Sequence, residues 1–75
     1  MKSFNGHRSW NAWNVYAWLN NEEWSYELMR WCIKNSRDRK EAARMVIDRL
    51  PSGSTPDGAK FNLRCVMDAM RGIDE

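Results

Sequence analysis

Few side chains in this sequence have the type and spacing that chemistry needs. Glu22, Glu23 and Glu27 form the one carboxylate cluster. Their positions suit the first turn and solvated face of a helix, where the helix dipole favours negative charge, better than an acid/base pair. The single histidine, His7, lies in a polar N-terminal stretch. The two cysteines, Cys32 and Cys65, are far apart and lack any CxxC spacing. They read first as reduced, buried thiols behaving as small hydrophobes, with a disulfide as the second reading. No Gly-rich phosphate loop, GxSxG or HExxH motif is present. The expectation is a protein that is not an enzyme, with no cofactor and no metal.

Two surface features remain. All five tryptophans (10, 13, 18, 24 and 31) fall in one short window. A domain of this size has difficulty burying five indoles, each with an N–H that needs a partner. On a helical wheel Ala12, Val15, Tyr16 and Leu19 share one face, and Asn11, Asn14 and Asn21 lie on the other with Trp18 in their midst. An exposed indole among asparagines suits a protein contact or stacking on an unpaired base. Trp10, Asn11, Asn14, Trp18 and Asn21 are therefore the candidate partner-binding residues. Trp13, Trp24 and Trp31 are expected in the core.

The second feature is basic. Lys34, Arg37, Arg39, Lys40 and Arg44 are interrupted by only two acids, Asp38 and Glu41. A solvated inter-helix corner accounts for such a run. A phosphate or acidic-partner contact is the functional alternative. The net charge of +2 argues against a dedicated nucleic-acid binder. A helix-turn-helix between residues 22 and 50 would lack the small residue and glycine usual at its turn.

The elements that must carry these side chains are helical. Residues 1–8 read as a flexible arm, with Phe4 free to tuck against the core, and 9–75 as one helical domain. Ser9 can cap a helix from about Trp10 to Asn20. Asn21 can cap a second, with Glu23, Glu27, Arg30 and Lys34 on its polar face and apolar or small residues around the rest. Asp38 to Glu41 has capping-box spacing and opens a third helix running to Leu50, with Ala43, Val46, Ile47 and Leu50 inward. Pro51 ends it. Thr55-Pro56 resembles an N-cap followed by proline at the first helical position, so a fourth helix is expected to run to about Arg71, with Gly72 as its stop. Ala59, Leu63, Val66 and Met70 would face the core. The fold class is all-α, a compact bundle of four short helices. A chain of 75 residues is near the lower size limit for a self-sufficient core. With neither a signal-peptide pattern nor a membrane-length apolar run, the expected location is the cytoplasm, without a membrane partner.

The Trp-Asn-x-Trp-Asn-Val-x-x-Trp-Leu-Asn-Asn-Glu-Glu pattern through Glu23, the stretch Arg39 to Arg44, Leu50-Pro51 and Thr55 to Ala59 together resemble a small uncharacterised family found in bacteriophages and mobile elements. Trp24-Ser25-Tyr26 departs from it, standing where the pattern has a small, Gly-containing segment. The resemblance assigns no catalytic or binding residue. It implies an accessory protein acting on a host complex, such as a defence system, in the host cytoplasm. The leading expectation is a non-enzymatic protein-interaction protein, a phage-encoded modulator or inhibitor of a host protein complex. The alternative is a small nucleic-acid-binding or transcriptional regulatory protein using the basic corner at 34–44. A homo-oligomer stays open.

Overall fold

A computed structural model of the chain describes residues 6–71 and residue 73; Phe4 and Gly72, and the expectations placed on them, lie outside the described residues. The fold is all-α. Four helices follow in order: α1 (Trp10–Asn21), α2 (Glu23–Lys34), α3 (Arg39–Arg49) and α4 (Leu63–Ala69). α1 packs on α2 and α4, and α3 packs on α2 and α4, so the helices form a closed ring of neighbours.

Local chemistry sets the boundaries. The Ser9 hydroxyl accepts the Ala12 N–H at 3.1 Å. Asp38 Oδ1 accepts the Glu41 N–H at 2.8 Å. These caps satisfy backbone donors that a first helical turn leaves without partners. Glu41 reaches back one residue beyond the expected capping box, accepting the Arg37 N–H at 2.7 Å. Between α1 and α2 a single extended residue, Glu22, makes the break. Asn21 does not cap α2. Instead the buried Ser25 hydroxyl donates to the Leu19 C=O at 2.8 Å and lies 3.1 Å from the Glu22 C=O, tying the end of one helix to the start of the next.

The fourth helix starts later than expected. Residues Thr55 to Gly58 form a tight turn in which the Gly58 N–H donates to the Thr55 C=O at 2.9 Å. Pro56 supplies the fixed φ of the turn's second position, and Gly58, at φ +98°, occupies a conformation that no helix contains. An antiparallel bridge joins Ser54 to Lys60 just outside the turn. Asn62, not Thr55, caps α4, its Oδ1 accepting the Cys65 N–H at 2.8 Å.

The core is built largely from small side chains. Ala12, Ser25, Cys32, Ala42, Ala43, Ala59, Cys65 and Ala69 are buried, with Val15, Leu19, Met29, Val46, Val66 and Met70 filling the volume between them. Ile47, Leu50 and Leu63, expected inside, are only half-buried at its rim. Such a centre lets short helices approach closely but has no room for an indole. Every tryptophan is accordingly displaced to the edge: Trp13 and Trp18 are half-buried, and Trp10, Trp24 and Trp31 are exposed.

Candidate interaction surface

The asparagine face of α1 is not a free surface. Asn11 treats the Lys60 backbone as a strand neighbour would: its Oδ1 accepts the Lys60 N–H at 2.8 Å and its Nδ2 donates to the Lys60 C=O at 3.0 Å. Asn14, 6% exposed, accepts the Thr55 hydroxyl at 2.6 Å and donates to Asp57 Oδ2 at 3.0 Å. A turn packed against a helix leaves backbone and hydroxyl groups short of partners, and an amide, with both donor and acceptor atoms, supplies them. Asn20 extends the arrangement by donating to the Ala69 C=O at 3.1 Å. Trp18 follows the asparagines inward. It packs on the core, with its ring 5.7 Å from that of the buried Phe61. Of the five residues proposed to bind a partner, Asn11, Asn14 and Trp18 hold the fold together, while Trp10 and Asn21 remain exposed.

The exposed aromatic surface lies instead on α2. Trp24 and Trp31, expected in the core, are 46% and 49% exposed. They are two helical turns apart on one flank, about 10 Å along the axis, with half-buried Leu28 between them. Neither ring is loose. Trp24 meets Trp18 edge to face at 5.7 Å and 80°. Trp31 carries the Arg49 guanidinium 5.1 Å from its ring centroid, a cation–π contact from α3. Each indole is thus supported on one side and open on the other. Trp18 turns inward with its asparagine neighbours, because Asn11 and Asn14 are themselves bonded to the Thr55–Lys60 segment. The sequence does contain the signal for Trp24 and Trp31: an apolar arc on the second helix wider than a single core contact needs.

The basic corner is partly assembled. Arg37, Lys40 and Arg44 line one shallow cavity of about 290 Å³ together with Asp38 and Glu41. Both acids already serve the α3 N-terminus, and Glu41 also lies 3.6 Å from Arg37 Nε. Three cations against two carboxylates leave this cavity with a charge of +1. Lys34 is exposed outside it, and half-buried Arg39 is engaged elsewhere.

A model of a family of unknown function, DUF7249, matches residues 1–74. The chain belongs to DUF7249. No curated protein and no solved structure matches it. In this DUF7249 protein Cys32 and Cys65 are free and buried. Burial pushes the Cys32 thiol above its ordinary value, and the positive charge of Arg49 pulls the other way. A desolvated thiol is a poor nucleophile because the thiolate is the reactive form. Among the described residues no group of three His, Cys, Asp or Glu side chains is placed to hold a metal ion, and no helix is long and apolar enough to cross a membrane.

Proposed function

We propose that this DUF7249 protein is a non-enzymatic interaction protein that docks a protein partner through the tryptophan flank of α2. The observation that supports this reading is the pair Trp24 and Trp31, open to solvent yet held in place by Trp18 and Arg49. Tryptophan is the residue type most enriched among binding hot spots, and a ring already fixed loses little freedom on binding. Leu28 continues the apolar surface between them. The specific form proposed is a modulator or inhibitor of a host protein complex, such as a defence system, acting in the host cytoplasm and encoded by a phage or mobile element. The resemblance of the Trp-Asn segment to proteins from such elements supports it.

The test is affinity capture with the intact chain and with a Trp24→Ala/Trp31→Ala double variant. The wild type is expected to retain a discrete protein, and the variant to lose it with its circular dichroism spectrum unchanged. Retention by the variant would move the interface off α2. Sedimentation of the free protein separates a foreign partner from a second copy of the chain.

The alternative, nucleic-acid binding by the basic corner, draws on Arg37, Lys40 and Arg44 sharing one cavity. With a local charge of only +1 there, binding to random duplex should stay in the ordinary non-specific range of about 10⁻⁴ to 10⁻⁶ M. Sub-micromolar, sequence-selective binding that Arg37→Glu/Lys40→Glu abolishes would put this reading first.

A further inference from the structure

A second cavity, of about 530 Å³ and open to solvent, is lined by His7, Arg8, Tyr16, Arg64, Asp68 and Arg71. Arg64, Asp68 and Arg71 follow at i, i+4 and i+7, so they share one face of α4 and its continuation. Arg8 arrives from the segment before α1, two residues after Gly6, whose φ is +87°. The single carboxylate organises the basic groups: Asp68 Oδ2 pairs with Arg8, and Oδ1 takes the Arg71 guanidinium at 3.0 Å. Asp68 is the more buried partner, its side chain 18% exposed, so two guanidiniums are held at the rim by a fixed group. Arg64 is exposed and has no ion pair among the described residues. Three guanidiniums and one carboxylate give the cavity a charge of +2, against +1 at the Arg37 corner.

One side of the cavity is aromatic. His7 and Tyr16 meet in a tilted contact, with ring centroids 4.6 Å apart at 45°, and Tyr16 keeps 37% of its surface exposed. A guanidinium fork matches a phosphate in shape and charge, and an exposed ring offers a stacking surface to a flat heterocycle. The cavity is larger than a lone phosphate requires and falls within the size range of small-ligand sites.

We infer that this cavity binds a nucleotide through a terminal phosphate monoester. Arg64 and Arg71 contact the dianion, and the His7–Tyr16 wall takes the base. The phosphate can belong to a free nucleotide or to the 5′ end of a strand. The site is separate from the α2 flank and stands whether or not that flank docks a protein.

The test is a nuclear magnetic resonance titration of the full chain with 5′-AMP, adenosine and inorganic phosphate. A short oligodeoxyadenylate with and without a 5′ phosphate completes the set. AMP should bind at least about tenfold more tightly than adenosine, the factor one charge-assisted hydrogen bond can carry. Shifts should centre on Tyr16, Arg64 and Arg71. Arg64→Ala should weaken AMP by about tenfold without moving the melting temperature, since an exposed, unpaired side chain is removed. Preference for the phosphorylated oligonucleotide over AMP assigns the phosphate to a strand end, and the reverse order to a free nucleotide. AMP binding no better than adenosine, or Arg64→Ala binding AMP as the wild type does, overturns the assignment.

Discussion

Replacing Asn14 by alanine tests the account of the α1 asparagines most directly. The side chain lies at the seam between α1 and the Thr55–Gly58 turn. Thr55 is 4% exposed, so water does not replace a lost partner there. Its oxygen would keep the Ala59 N–H at 3.0 Å, and only its O–H would be orphaned. A buried donor without an acceptor costs about 1–3 kcal/mol. Asp57 is exposed and rehydrates, adding little. A loss of about 2 kcal/mol in a domain of this size lowers the melting temperature by roughly 8–16 °C. Asn11→Ala should cost less, because Lys60 is exposed and water can reach its backbone groups. Asn21→Ala, on the exposed end of the helix, should stay within about 0.5 kcal/mol of wild type. The assay is thermal and urea unfolding of the three variants, with the Ala59 amide resonance as a local reporter. An Asn14→Ala protein melting within about 2 °C of wild type, equivalent to about 0.5 kcal/mol or less, would refute the reasoning.

Four further outcomes are expected. Asn14→Asp keeps an acceptor for Thr55 but sets a second carboxylate against Asp57. Like charge raises the pair's folded-state affinity for a proton, so the variant should be relatively more stable below about pH 4 and lose that advantage as pH rises toward neutral, measured by urea melts across pH. Trp18→Ala should destabilise by roughly 3 kcal/mol, and Trp24→Ala and Trp31→Ala by clearly less, in the same melts. Equal losses in all three would return Trp24 and Trp31 to the core. Alkylation of the native protein should leave both cysteines unlabelled by mass spectrometry, with full labelling after denaturation. The raised Cys32 thiol affects stability as well: unfolding releases it to its ordinary value of 9.0, so its contribution is intact below pH 9 and is lost as pH rises further. Cys32→Ala should therefore show a flatter fall in stability as pH rises above 9.

α1 and α3 are legible in the sequence because a side chain caps the N-terminus of each. Ser9 and Asp38 announce α1 and α3 because capping oxygens act within three residues, a range a linear reading covers. The start of α4 is ambiguous in the sequence because Thr55-Pro56 fits two local structures. Pro-Asp-Gly is also a turn signature, and Gly58 decides for the turn. The asparagines conceal their role in the sequence for a different reason. Wheel placement assigns Asn to water unless a buried partner is known, and the partners of Asn11 and Asn14 lie more than forty residues away. The tryptophans inverted in the same way, since the small-residue core that excludes them forms only when all four helices meet.

The asparagine contacts also bear on how the chain comes off the ribosome. α1 closes against the Thr55–Lys60 turn and α4, so the first helix made is completed by the last. α2 and α3 are neighbours in sequence and can pair early. α1, however, must wait for its amide partners until residues 55–69 have been synthesised. During that interval its apolar face and its tryptophans are open to any chaperone or to another nascent copy.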